Sequence, residues 1–424
     1  MKLKGRRMAI NTSDLEGLDY TVAPTWSNGT RNIQATPSVL VRPRDETEVA
    51  RIVKFARRHR LPVRPVGGGY SWMPLVTTGG IIMDLQFLTG VVSVDLPNRR
   101  ARVRAGTRLY DLNERLWDQG AAMIQLGAWA GQTIAGVVGT GTHGTSTTLG
   151  NIASFVRAVR MVNGEGEIVE LVQGDADLEA VRVSMGLFGI MVEIELEVAP
   201  AYHLAQDGGF HPWEKAGELI FADAGNYRHL AALWAPHEKS FESVRFPAGP
   251  GLGDHFYLQR FYEPDPARTD QAVDRSYRVL SFASITQPLG EYIELEYGIP
   301  VERTEEAANA TRTLLREEFP FFIGPMYNRF IAADSAYLSP FSDRDSATVS
   351  ISSSPLFEFW PVFEAVHRLL VERFEARPHW GKINFFEGED LEKAFPRYQD
   401  FVAARRRFDP DGVFLNEYGR ANFV

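Results

Sequence analysis

The sequence predicts an α+β fold. Short β-type runs and helical stretches alternate between residues 36 and 200. Several of those runs are joined by hairpin signals instead of the helical crossovers that a doubly wound parallel sheet requires. After Pro200 the periodicity loosens, and aromatics and histidines become denser. In chain order, Asp45 can cap a helix whose apolar positions Val49, Ile52, Val53 and Ala56 recur at helical spacing. Leu61 to Val66 and Ile81 to Leu85 read as strands. Val91 to Val94 and Ala101 to Ala105 flank Pro97-Asn98 as a hairpin. Arg108 to Trp117 reads as a helix with Leu109, Leu112 and Leu116 on one side. Val156 to Val162 and Glu167 to Leu171 flank Asn163-Gly164, a strong hairpin turn. Val192, Ile194, Leu196 and Val198 alternate with Glu193, Glu195 and Glu197, which predicts a half-buried strand with an acidic solvated face. Residues 1 to 200 form one expected domain. Residues 201 to 375 form a second, with a mixed or antiparallel sheet and covering helices. Residues 376 to 424 form a closing segment, in which Leu391 to Arg407 is helical and Pro410-Asp411-Gly412 stops the helix.

A chain of 424 residues suits two or three domains of roughly 150 residues each. Its net charge of −9, with acidic and basic residues interspersed, argues against nucleic acid as a partner. It has no cysteine, which excludes disulfides, thiolate metal sites and thiol catalysis. The basic start Met1 to Met8 leads into no apolar core segment, and no apolar run approaches the roughly 18 residues that cross a bilayer. The expectation is a cytoplasmic protein without a membrane partner. His203, His211, His229, His237 and His255 lack ligand spacing, so no metal site is expected.

The most informative stretch is Val63 to Trp72, where a β-type run enters Gly67-Gly68-Gly69 and then Tyr70-Ser71. Consecutive glycines let the backbone turn sharply and bring bare N–H groups against an anion such as a phosphate or pyrophosphate. A second cluster follows at Gly136, Gly139, Gly141 and Gly144, with Thr140, Thr142 and His143 interleaved. Each cluster alone is equally well a tight turn. Together they suggest one large cofactor held from two sides. Gly139 to Gly144 formally fits the G-x-G-x-x-G fingerprint of dinucleotide-binding folds. However, Ala128 to Gln132 before it is not strand-like and Thr145 to Gly150 after it opens no helix, so the context fails.

Arg64 to Ser71, the Gly136 to Gly144 cluster and Arg377-Pro378-His379-Trp380-Gly381-Lys382 together resemble the aldonolactone and alditol oxidases. These are FAD enzymes of the vanillyl-alcohol-oxidase type. Thr25 to Asn28 and the closing Phe408 to Asn416 resemble the same family. The resemblance implies a bipartite FAD-binding domain of two α+β subdomains, with a substrate domain and a C-terminal tail that closes on it. It implies that Val66, Gly67, Gly68, Gly69, Tyr70 and Ser71 wrap the pyrophosphate. It places Thr133, Gly136, Gly139, Thr142, His143, Gly144 and Thr145 along the flavin and its phosphates. Gly189 and Ile190 fall near the adenine, and His379 is the flavin-contacting histidine. The implied reaction oxidises a CH–OH group by hydride transfer to the flavin N5 of FAD, with molecular oxygen accepting the electrons and giving hydrogen peroxide.

Three departures stand out. Tyr70 occupies the position where many relatives carry a histidine bonded to the flavin, so FAD is expected to bind without a covalent bond. Tyr327 replaces the glutamate of the family's Glu-x-Arg. Thr348 to Ser354 lacks the bulkier polar groups of the relatives. A phenol hydrogen-bonds less strongly than a carboxylate and offers a flat apolar face, so a less polar alcohol fits as well as a polyol or sugar lactone. Of the candidate catalytic residues, Lys382 is the polar catalytic group and Arg329 the electrostatic one. Tyr327 is either a substrate contact or a packed aromatic. A flavin dehydrogenase, a tailoring enzyme for a natural product and a flavin-binding protein without chemistry remain as alternatives.

Overall fold

Asp45 accepts a hydrogen bond from the Glu48 backbone N–H at 2.9 Å and starts the helix Glu46–His59. Val49, Ile52, Val53, Phe55 and Ala56 line its buried face. In the computed structural model, which describes residues 13–240, 251–281 and 292–424, this helix carries the chain from the strand Val39–Val41 to Val63–Val66. Ile81–Asp84 lies between those two strands and is parallel to both, while Tyr20–Val22 closes one edge antiparallel. The sheet delivers the end of Val63–Val66 directly into the three glycines.

A second, antiparallel sheet runs in the order Ile168–Val172, Val156–Val162, Ile190–Pro200, Arg100–Arg104, Val91–Asp95. Ala121–Met123 pairs with the far end of Ile190–Pro200. Both expected hairpins are present, with Val94 opposite Ala101 and Val162 opposite Ile168. On Ile190–Pro200, Ile194, Leu196 and Val198 are buried. Glu193, Glu195 and Glu197 turn outward to Arg99, Arg100, Arg102 and Arg157.

The third sheet has eight antiparallel strands. Their order is Ala272–Arg275, His203–Pro212, His255–Tyr262, His229–Ala235, Met326–Ile331, Ser346–Ser353, Ile293–Pro300 and Arg377–Pro378. The helices Thr304–Glu318 and Trp360–Phe374 cover one face, against Leu295, Tyr297, Val349 and Ile351. The Tyr297 hydroxyl lies 2.8 Å from His367 Nδ1 on that side. Strand side chains alternate between faces, so Glu294 and Glu296 project from the opposite face, away from the covering helices.

Two expectations are corrected. The single helix Leu391 to Arg407 is two helices, Glu389–Ala394 and Tyr398–Phe408, separated by Phe395 in extended conformation. The ring of Pro396 disfavours helical geometry in the residue before it, which accounts for the break. The second glycine cluster is not an open loop. Gly136 and Gly139 lie inside the helix Ile134–Thr140, which Thr133 caps by accepting from the Gly136 N–H at 3.3 Å and Gly141 ends in left-handed conformation.

Candidate active site

Arg64 fixes the approach to the glycine turn. Its buried guanidinium donates to the carbonyls of Leu75 and Phe414, both at 2.6 Å, of Gly186 at 3.1 Å, and of Met185. Burial pushes its pKa down to about 10, which still leaves it charged at neutral pH. One side chain thereby ties the glycine strand to the Met185–Gly186 turn and to the C-terminal tail. Beyond it, Gly69 adopts φ +70°, and among the described residues the N–H groups of Gly67 to Ser71 have no backbone acceptor. This is the exposed amide run that an anionic group requires. The Trp72 N–H then donates to the Gly381 carbonyl at 2.9 Å, which joins the turn to the His379–Lys382 segment.

These elements enclose a cavity of about 950 Å³. The glycine turn and the helix Ile134–Thr140 form one side, and the bare face of the eight-stranded sheet forms the other. Four charged side chains stand on the sheet side in two ion pairs. Lys382 Nζ binds the Glu294 carboxylate and lies 4.6 Å from the Trp72 ring centroid; Ser350 Oγ donates to the same carboxylate. Arg329 binds the fully buried Glu296. The Arg329 guanidinium carbon is 5.1 Å from the Tyr327 ring centroid, and the Tyr327 hydroxyl donates to Gln259 Oε1 at 3.1 Å.

His143, Glu296 and His379 converge so closely that one ion could touch all three. Their hydrogen bonds speak against such a site. His379 Nδ1 accepts the Gly381 N–H at 3.0 Å, so the neutral ring carries its proton on Nε2 and has no lone pair left for a cation. Burial, reinforced by Lys382, His143 and Arg329, keeps this ring neutral against the pull of Glu296. Glu296 is already engaged by Arg329. Burial pushes its carboxyl up, but Arg329 and His143 outweigh that and hold it well below the usual carboxylate range. His143 Nδ1 lies 2.9 Å from the Gly144 carbonyl and Nε2 lies 3.0 Å from Glu296 Oε1. Burial and Arg329 lower this ring's affinity for a second proton, and Glu296 works in the opposite direction. The lowering prevails, so a neutral imidazole stands beside the Glu296 carboxylate. With Arg329 on Glu296, Lys382 on Glu294 and both imidazoles neutral, the charges of the cluster balance.

Residues 37–172 match the FAD binding domain, and residues 240–422 match D-arabinono-1,4-lactone oxidase. The chain belongs to the FAD flavoproteins of the aldonolactone-oxidase branch. It is 28% identical to an L-gulono-1,4-lactone dehydrogenase of Mycobacterium tuberculosis over 94% of this chain and 99% of that one. It is 26% identical to the L-gulonolactone oxidase of Mus musculus over 93% and 97% respectively. The fold is also that of cholesterol oxidase from Brevibacterium sterolicum, with a TM-score of 0.82 at 12% identity over 96% of this chain and 98% of that one.

The cavity fits FAD on this chain's own features. An unpaired amide run, an aromatic wall of Tyr70 and Trp129 and two cation–carboxylate pairs line one continuous space. It brings together Val66, Gly67, Gly68, Gly69, Tyr70, Ser71, Thr133, Gly136, Gly139, Thr142, His143, Gly189 and His379 with Tyr327, Arg329 and Lys382. Gly144, Thr145 and Ile190 stand outside this lining, although the resemblance sets them at the cofactor. A Cβ on Gly144 would sit 2.2 Å from Gln125 Oε1, so that glycine is needed for packing against Gln125. Thr145 Oγ1 donates to the Leu230 carbonyl and accepts the Phe330 N–H at 3.0 Å, which fastens the segment to the large sheet. Ile190 is wholly buried at the start of its strand.

Sequence reasoning missed Glu294, Glu296, Tyr257, Gln259, Leu233 and Tyr292 on the sheet side. The alternation in Tyr292-Ile293-Glu294-Leu295-Glu296-Tyr297 was the available signal.

Proposed function

We propose that this chain is an FAD-dependent oxidoreductase that oxidises a CH–OH group of a small-molecule substrate, with molecular oxygen as electron acceptor and hydrogen peroxide as product. The carrying observation is that the amide run of Gly67 to Ser71 and the Lys382–Glu294 and Arg329–Glu296 pairs face one cavity. Bound FAD supplies the hydride acceptor, N5 of its isoalloxazine. Val66 to Ser71, Thr133, Gly136, Gly139 and Thr142 would hold the phosphates and ribityl chain, Gly189 the adenine side, and His379 the ring. Arg329 and Lys382 supply the positive charge that a reduced, electron-rich cofactor needs. Arg329 keeps its proton throughout, because a guanidinium is not a usable base. The hydroxyl proton has an acceptor at hand in the Glu294 carboxylate, which Lys382 and Ser350 hold in place.

We further propose that FAD is held without a covalent bond, in a chain that works in the cytoplasm. Tyr70 offers a phenol and not an imidazole, its ring packs edge-on against Trp129 at 5.5 Å, and the chain has no cysteine. No described helix is long and apolar enough to cross a membrane. The test is the purified protein itself. Acid precipitation should release intact FAD into the supernatant, and a suitable alcohol in air should generate peroxide in step with carbonyl product. Flavin retained on the polypeptide refutes the non-covalent reading. Reduction by an alcohol with no peroxide formed makes the chain a dehydrogenase.

A further inference from the structure

The bare face of the large sheet changes character from one end to the other. The pairing register places Phe210, Tyr257, Leu233, Tyr327, Ser350 and Glu296 opposite one another in a single lateral row across six strands. Directly paired residues point to the same face, so this row is a continuous strip. It begins with aromatic and aliphatic groups and ends on a hydroxyl and a carboxylate. Leu233 and Ala235, with Phe210, Leu252, Tyr257 and Tyr327 packed on them, form a small cluster separate from the main core. Leu233, Tyr257 and Tyr327 open into the same cavity as the charged pairs. The Tyr327 hydroxyl donates to Gln259, so the residue presents its ring to the cavity.

We propose that this strip is a second, apolar subsite that takes the hydrocarbon or aryl tail of the alcohol substrate, while its carbinol end lies by Arg329 and Lys382. The proposal rests on the oxidoreductase reading and names its substrate class: monohydric or terminal alcohols bearing an apolar tail. Adjacent strands lie about 4.8 Å apart, so Tyr327 to Tyr257 offers a tail roughly 10 Å of surface. A polyol laid on this strip would set hydroxyls against Leu233 and two ring faces, which is costly in a desolvated site.

The test uses the FAD-loaded protein under anaerobic conditions. Flavin bleaching is titrated with a series of unbranched 1-alkanols and ω-phenylalkanols, with pentitols and hexonolactones alongside. Each added methylene should tighten apparent binding about fourfold, the effect of burying one methylene, until the strip is filled. Leu233→Trp, which fills the strip, should shorten the longest tail that still gains. Tyr257→Ala should weaken the length dependence and gives a second readout if Leu233→Trp folds poorly. Binding of n-alkyl carboxamides, which have no carbinol to oxidise, should follow the same length dependence when read from tryptophan quenching. This measures the subsite even if no alcohol reduces the flavin, an outcome that would sink the oxidoreductase reading on its own. The subsite is refuted if pentitols or lactones bind more tightly than every tailed alcohol. It is equally refuted if the carboxamides bind independently of length.

Discussion

Lys382 and Glu294 allow the site's electrostatics to be separated from the protein's stability. Lys382→Met removes the cation from a carboxylate whose side chain is only 8% exposed. Ser350 Oγ alone then remains on Glu294. Removing one partner of a buried pair costs about 3–5 kcal/mol, because the charge left behind is uncompensated. Glu294→Gln should cost less, because Lys382 is 16% exposed and keeps the Trp72 ring beneath it. The double variant replaces both charges by neutral groups of similar size and should recover most of the loss, giving a coupling of about 3 kcal/mol in a double-mutant cycle. Turnover should behave differently. A positive group aimed at developing negative charge contributes about 10²–10³-fold to rate. Lys382→Met should therefore reduce its flavin about 10²–10³-fold more slowly than wild type, and the double variant, which also lacks the Glu294 proton acceptor, more slowly still. Urea unfolding and stopped-flow anaerobic bleaching measure the two quantities on the same preparations. Additive stability losses would show that the pair does not form. A double variant with wild-type bleaching would remove Lys382 from the chemistry.

Three further outcomes are expected. A Cβ on Gly67 would lie 2.0 Å from Thr133 Oγ1, the cap of Ile134–Thr140. Gly67→Ala should thus keep its circular dichroism and lose FAD, visible as a collapse of flavin relative to protein absorbance; full flavin content would refute the cradle. Arg64→Met strands the carbonyls of Met185, Gly186 and Phe414 without their donor. At 1–3 kcal/mol for each unsatisfied group, a loss of about 3–9 kcal/mol is expected in urea unfolding, with earlier proteolysis of the C-terminal tail. His229 donates from Nδ1 to the Thr145 carbonyl at 2.6 Å, has no partner on Nε2 among the described residues, and is pushed by burial from 6.5 down to about 4. The unfolded chain therefore binds this proton more readily, so the stability is complete above 6.5 and is lost as pH falls toward 4, by about 3 kcal/mol. His229→Gln should flatten that acid limb in denaturation measured across the interval, and an unchanged slope would exclude His229 as its source.

Much of the cofactor side was legible because its signals are local. Val63 to Trp72 announces a strand, a sharp turn and a run of free amides, and Asn163-Gly164 fixes a hairpin register through its own backbone preferences. The sheet side was not, because its signals are ambiguous without the fold. Glu193, Glu195 and Glu197 alternate with apolar residues just as Glu294 and Glu296 do. The first set meets water and surface arginines, while the second meets Arg329 and Lys382 inside a cavity. Only the covering helices Thr304–Glu318 and Trp360–Phe374 decide which face of the sheet is closed. Local propensity also misleads at Ile134–Thr140, where two glycines and β-branched residues argue against helix. The Thr133 cap and burial of Ile134, Val137 and Val138 override it.

The most direct measurement is a single anaerobic turnover in which carbonyl product and reduced flavin are counted together. Oxidation of a carbinol at this cavity predicts one carbonyl formed for each flavin bleached, with oxygen then restoring the colour. Folded protein that takes up no FAD, or carbonyl product appearing while the flavin stays oxidised, would contradict it.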